Sequence, residues 1–363
     1  MQYRNGMMAG ALALTAIMAG LAHADVFNMT DGQTSQQFVT VGNPGNAADT
    51  VVMPDTTTTY GSVPYSFQMG KYDVTVGQYC QFLNAVAKTA DPYGLYNSAM
   101  ATDFATIKII QSRDETGGYS YAVGGGYSQA ANCPIFEVSW GDAARYCNWL
   151  QNGQPTGAQD ANTTETGAYT LNGANDFFTL MGMNRNAGAK YFLPSANEWY
   201  KAAFYDPNKP GGPGYWNYPT KSDTQPSNVL SSTGTNNANF LDEWGSPETG
   251  GYTDLANGLT PVGAFAASPG PYGTFDMGGD VLQWNDTNFD DRSRGLRGGC
   301  YCNYYGCMVA TEEGYDYPTL ESYNAGFRVA SVPEPGSIGL FVSGAIAGLI
   351  WWKRRLPTRC AEA

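Results

Sequence analysis

Arg297-Gly298-Gly299-Cys300-Tyr301-Cys302-Asn303-Tyr304-Tyr305-Gly306-Cys307, closed further on by Gly326-Phe327-Arg328, is the stretch from which this chain is best read. It brings three thiols close together in sequence. Cys300 and Cys302 lie two apart, so in an extended segment they share one face and Tyr301 takes the other. Cys302 and Cys307 have four residues between them. Two such thiolates suit a soft ion such as Cu(I), or they close a small disulfide. The plainer alternative is three part-buried thiols, or a disulfide with no chemistry attached.

The composition around that stretch removes several kinds of chemistry. The chain has 363 residues and one histidine, His23. That residue falls in a segment that reads as a signal peptide, so the mature chain has no imidazole. Ser-His-Asp and Cys-His catalysis and histidine-ligated zinc or iron are thereby excluded. The net charge is −13, which argues against nucleic acid and anionic membranes as partners. An acidic face of this kind suits an exported protein that binds calcium. High glycine and tyrosine with few charges indicates irregular but ordered backbone.

Both ends read as addresses. Arg4 precedes an apolar run ending in Ala22-His23-Ala24, the pattern of a signal peptide over residues 1–24. At the other end Val332-Pro333-Glu334-Pro335 leads into an apolar segment and then Lys353-Arg354-Arg355. The apolar segment falls short of the ~20 residues of a full span, and the basic end reads as held inside. Residues 332–355 therefore read as a sorting or transmembrane tail. Roughly 300 residues remain between the two ends, enough for one large domain. Of the seven cysteines, Cys360 lies in the tail, leaving Cys80, Cys133, Cys147, Cys300, Cys302 and Cys307. Export permits disulfides, and spacing alone does not give their pairing.

Three helices can be placed from their starts. Thr75 with Gln78, Ser139 with Asp142, and Ser195 with Glu198 each form the pattern of a capping box. Apolar residues follow at helical spacing, the second helix ending at Gly153 and the third running to Pro207. Residues 25–70 and 262–330 read as short strands and turns, 90–132 as loop, and 153–190 as a polar insertion. Ser139 and Ser195 are caps rather than nucleophiles. Gly124-Gly125-Gly126 lacks the Lys and Ser/Thr of a phosphate loop. Acidic and amide residues cluster at Asn239, Asp242, Glu243 and Asp254, and again from Asp276 to Asp291. Hard oxygen ligands of this type suit Ca²⁺, and a solvated acidic surface is the plainer alternative.

Several blocks together resemble one family. Tyr72-Asp73-Val74-Thr75 with Gln78-Tyr79, Val138-Ser139-Trp140-Gly141-Asp142-Ala143 and Leu193-Pro194-Ser195-Ala196-Asn197-Glu198-Trp199 are similar to its N-terminal motifs. Tyr272 to Trp284, Leu296-Arg297-Gly298-Gly299 and Gly326-Phe327-Arg328 are similar to its C-terminal ones. The family is that of the formylglycine-generating enzymes, or sulfatase-modifying factors, and the resemblance covers about residues 35–331. The tail resembles PEP-CTERM sorting signals of Gram-negative bacteria. The resemblance implies an α+β, C-type-lectin-like fold with few helices, short antiparallel strands and much ordered loop.

It also implies an activity: oxidation of a sulfatase cysteine to formylglycine with O₂ and Cu(I), held by two cysteines. Those positions here are Cys302 and Cys307. Active members read Arg-Gly-Gly-Ser-x-x-Cys, whereas this chain has Cys300 at the serine and Cys302 one position early. A Ca²⁺ is implied at Asn239, Phe240, Asp254 and Ala256, and a second at Asp280 and Gln283. The alternative to the oxidase is a non-catalytic lectin-like surface module that binds a glycan or protein partner through Tyr301, Tyr304, Tyr305, Tyr315, Tyr317 and Tyr323. The implied partners are a sulfatase-type protein substrate or a glycan, and exosortase-type sorting machinery, with no nucleic acid. The implied location is beyond the inner membrane, first anchored and then at the cell surface or outside the cell. The sequence specifies no oligomeric state.

Overall fold

The computed structural model describes residues 34–51, 53, 59–242 and 251–332. The segment read as a signal peptide, Glu243 and all but the first residue of the segment read as a sorting tail lie outside the described residues. Among the described residues no helix is long and apolar enough to cross a membrane.

The three capping boxes form as the sequence suggests. Thr75 Oγ1 accepts from Gln78 N, and Gln78 Oε1 accepts from Thr75 N, starting α1 (Val76–Val86). Ser139 and Asp142 do the same for α2 (Trp140–Gln151). Ser195 and Glu198 do so for the helix Ala196–Phe204. Each box satisfies two otherwise orphaned N–H groups, a contribution of about 1 kcal/mol. The helix Ala196–Phe204 stops short of Pro207 because Tyr205 is already extended.

Two segments are more ordered than the sequence suggests. Residues 90–132 contain a hairpin, β3 (Lys108–Arg113) with β4 (Tyr119–Gly124), following β1 (Phe38–Val41) and β2 (Phe67–Gly70). Its turn is held by Asp114, whose Oδ1 accepts from Thr116 N and Gly118 N. The insertion 153–190 contains the short helix α3 (Phe177–Met181), so Ala196–Phe204 becomes α4. It is fastened to α2 by a buried fork in which Arg145 pairs with Glu165 at 2.7 and 3.1 Å.

The remaining strands are β5 (Tyr191–Phe192), β6 (Tyr205–Asp206), β7 (Gly214–Tyr215), β8 (Leu282–Asn288), β9 (Arg294–Arg297), β10 (Gly314–Asp316), β11 (Ala325–Phe327) and β12 (Ala330–Ser331). One sheet has the order β1-β2-β12-β5 and a second β10-β9-β8-β11. All pairs are antiparallel except β8–β11. With four α-helices among the described residues, short strands and long ordered loops, the architecture is the expected α+β one. Trp140, Trp149, Trp199 and Trp284 are fully buried. Tyr79, Phe82, Tyr146 and Phe327 join α1, α2 and β11 edge to face, and Trp149 packs tilted on Phe82, contacts that add to the stabilisation from burial alone.

The second sheet positions the cysteines. β9 runs straight into Gly298 and Gly299, and β11 follows directly on Tyr323 and Asn324.

Candidate functional site

The cysteine loop starts from a fixed point. Arg297, 1% exposed, donates to Glu312 O at 2.9 Å, pairs with Glu313 at 3.3 Å and lies 4.5 Å from the Tyr60 ring centroid. Gly298 follows with φ +101° and Gly299 with φ +65°, a backbone that disfavours any side chain. A Cβ on Gly298 would lie 2.8 Å from Met277 O, and one on Gly299 3.1 Å from Cys307 O. The Arg-Gly-Gly block is thus a buried anchor followed by a close turn that lays residue 299 against Cys307.

The backbone then stitches the loop to the acidic segment. Tyr301 N donates to Asp280 O, Asp280 N to Asn239 O, and Leu241 N to Asn303 O. Asn303 N closes a turn on Cys300 O at 3.0 Å. That turn sends the Tyr301 ring towards Phe104, Tyr252 and Tyr323. It brings Cys300 Sγ within 2.9 Å of Cys302 Sγ.

All six described cysteines are thiols. Cys80, Cys133 and Cys147 are buried, and burial pushes each of their pKa values up. Cys302 is different. Hydrogen bonds from Cys300 first, then from Asn324 and Tyr323, hold it down to about 7 against its partial burial. Cys300, bonded to Cys302 and buried, is pushed up. Of the two bonded thiols, Cys302 is therefore the one with the greater thiolate character, the property that governs nucleophilicity and soft-metal binding. Of its helpers, Tyr323 is read from the sequence only as part of a binding face and Asn324 belongs to no motif, although both sit just before Gly326-Phe327-Arg328.

The tyrosines divide into two groups. Tyr301, Tyr304, Tyr305 and Tyr323 surround the loop, with Tyr304 and Tyr323 exposed. Tyr315 and Tyr317 pack on Phe289 and Phe177 instead.

The oxygen ligands also divide. Asn239 Oδ1 is buried without a hydrogen-bond partner, and an orphaned carbonyl oxygen of this kind fits a hard cation. Phe240 O accepts a long bond from Asn228 Nδ2. Asp254 Oδ1 accepts from Ala256 N and Asn257 N. The structure brings Asp280 to Asn239 at 2.7 Å, and the Asp280 carboxylate also accepts from Thr260 N and Oγ1. Gln283 does not fit a cation ligand. Its Oε1 accepts from Trp199 Nε1 at 2.7 Å and Arg328 Nε at 2.9 Å, so a guanidinium already supplies the positive charge there. Among the described residues no group of three or more His, Cys, Asp and Glu side chains could hold a metal.

A carboxyl cluster braces the segment that carries Tyr323. Glu137, at φ +56°, donates its N–H to Ser322 O, and Asn97 Nδ2 donates to both Glu137 and Glu321. Burial, then the hydrogen bond and charge of Asp103, push Glu137 up to about 8. Burial and the charge of Asp142 push Glu321 up to about 8 as well. Unfolded, both titrate in the ordinary range near 4.3. Between those values the folded chain keeps protons that the unfolded chain releases, so stability falls as pH rises from about 5 to 8. The unfolding temperature is expected to decline across that window, and to decline less steeply in Glu137→Gln/Glu321→Gln, with Asp142, Asp276, Asp280 and Asp286, also raised by burial, supplying the remainder. An unchanged decline in the double variant would refute the assignment.

Residues 28–332 match the sulfatase-modifying factor enzyme 1-like domain family. Among solved structures, CarF is similar at a TM-score of 0.52 and 19% identity, covering 83% of this chain and 99% of that one. Variable protein 1 of Treponema denticola follows at 0.42 and 17%, covering 82% and 95%. PvdO of Pseudomonas aeruginosa follows at 0.42 and 18%, covering 83% and 93%. At these identities the likeness to CarF speaks for the fold alone. No curated protein matches the chain.

Proposed function

The chain belongs to the sulfatase-modifying factor enzyme 1-like domain family, and from that membership we propose that it acts on a protein thiol at the Cys300–Cys307 loop. The reading is a formylglycine-generating oxidase in which Cys302 and Cys307 hold Cu(I). The observation that carries it is the part-exposed Cys302 thiol, held down to about 7 on a loop anchored by Arg297. Two sulfur donors without imidazole suit Cu(I) by softness. Bound, the ion would supply activation of dioxygen. The chain's own residues do the rest. Cys300 first, then Asn324 and Tyr323, stabilise the Cys302 thiolate, the Gly298–Gly299 turn fixes the loop, and the exposed rings of Tyr304 and Tyr323 offer a surface for a substrate peptide.

The same reading puts one Ca²⁺ at Asn239, Phe240, Asp254 and Ala256, supported by the orphaned Asn239 Oδ1. It takes the chain as exported, with the tail removed by exosortase-type machinery. Full-length protein held in the inner membrane would contradict that processing.

Metal titration tests the assignment. Anaerobic Cu(I) should bind at one equivalent to the reduced full chain and be lost in Cys302→Ala and in Cys307→Ala. Ca²⁺ should raise the unfolding temperature of the parent but not of Asn239→Ala. Equal Cu(I) binding by parent and variants would remove the copper reading. The exposed tyrosines support a second reading, a glycan- or protein-binding module. It is favoured if the chain takes up no Cu(I) yet retains a ligand lost on Tyr304→Ala/Tyr323→Ala.

A further inference from the structure

The geometry points to Cys300 and Cys302 as a thiol–disulfide exchange couple, which takes oxidising equivalents from an external disulfide and closes a Cys300–Cys302 bond. The inference concerns the metal-free thiols and stands independently of the copper reading. The two sulfurs are 2.9 Å apart, inside the van der Waals separation of two sulfur atoms. A disulfide needs about 2.05 Å, so closure asks for a small movement within one turn. That turn is held from outside the pair, by Asn303 N on Cys300 O and Tyr301 N on Asp280 O. The Tyr301 ring is packed among Phe104, Tyr252 and Tyr323.

Exposure assigns the two roles. Cys300 is 0% exposed, whereas Cys302 reaches solvent. The Cys302 thiolate attacks one sulfur of the incoming disulfide, forming a mixed disulfide and releasing the first small thiol. Cys300 loses its proton and attacks Cys302 Sγ, expelling the second small thiol. Two protein thiols are oxidised to one disulfide, one external disulfide is reduced to two thiols, and the two protons leave with them. The alternative use of Cys300, as a third thiolate joining Cys302 and Cys307 on a metal, is not supported. No three-member group of metal-ligating side chains forms among the described residues.

The test equilibrates the reduced full chain, without oxygen or metal, in buffers of increasing oxidised-to-reduced glutathione ratio. Thiols are then trapped by alkylation and the peptides mapped by mass. Cys300 and Cys302 should lose their labels together and appear as one linked peptide, lighter by two hydrogens. Cys307→Ser should leave that transition in place. Cys300→Ser should instead accumulate a glutathione adduct on Cys302, because the resolving thiol is gone. A Cys302–Cys307 link in the parent chain, or full alkylation of both Cys300 and Cys302 across the whole range, would overturn the inference.

Discussion

Arg328→Leu is expected to remove most of the stability of this domain. Arg328 is 0% exposed and donates to Gly70 O at 2.7 Å, Phe275 O at 2.8 Å, Gln283 Oε1 at 2.9 Å, and Asp73 Oδ1 and Asp276 O at 3.2 Å. It ties together the end of β2, the loop before α1, the segment ahead of β8 and the strand β8 itself. Asp73 is equally buried, and burial pushes its carboxyl up even beside the guanidinium. Taking away one partner of a buried pair costs about 3–5 kcal/mol. Each carbonyl left unpaired adds roughly 1–3 kcal/mol. A domain has about 5–15 kcal/mol in total. Leucine replaces the stem but none of the donors, so the variant should unfold at far lower denaturant or fail to accumulate. Arg328→Lys keeps the charge without the fork and should fall between the two. An unfolding free energy for Arg328→Leu, from denaturant titration, within about 1 kcal/mol of the parent would show that the guanidinium does not organise the fold.

Gly279→Ala should be nearly as damaging, for a backbone reason. Gly279 has φ +87°, and a Cβ there would sit 2.2 Å from Asn239 O and 2.9 Å from its carbonyl carbon. Neither atom belongs to a flexible side chain. The substitution must push Asn239 away or break the bonds from Gly279 N to Gly298 O and from Asp280 N to Asn239 O. Positive φ costs alanine about 1 kcal/mol or more, and the displaced backbone should bring the loss to roughly 3 kcal/mol. Gly126→Ala is the matched control. Its φ is +93°, yet a Cβ would meet nothing within 4 Å. The difference between the two variants isolates the contact. Because Asp280 O receives Tyr301 N, Gly279→Ala should also change the alkylation rate of Cys302, which Gly126→Ala should not. Equal losses in the two variants would mean that conformation alone, and not the approach of residue 279 to Asn239, sets the cost.

The fold was legible where local chemistry and packing agree. Thr75–Gln78, Ser139–Asp142 and Ser195–Glu198 announce their helices because both halves of each box are adjacent in sequence. Arg297 and Arg328 mark the ends of the cysteine region, although nothing local says that both are buried. The β3–β4 hairpin was not legible. Its strands mix Lys108, Gln111 and Arg113 with only Ile109 and Tyr121 buried, so alternation is weak and pairing decides the outcome. The parallel β8–β11 pairing likewise depends on partners far apart in the chain.

At the site, the sequence spacing offers Cys302 with Cys307. The folded loop adds what spacing cannot, a turn that sets Cys300 against Cys302 and long-range donors from Tyr323 and Asn324. Gln283 shows the converse. A ligand-like position in sequence is occupied in space by Arg328.

The proposed function makes Cys302 the chemically active thiol of a sulfatase-modifying factor enzyme 1-like domain. The full chain, reduced and supplied with Cu(I) and O₂, should be offered a peptide containing Cys-x-Pro-x-Arg, and the peptide cysteine followed by mass. The expected result is conversion of that thiol to an aldehyde, abolished in Cys302→Ala. An intact peptide thiol with the parent protein fully loaded, or equal conversion by Cys302→Ala, would contradict that role for Cys302.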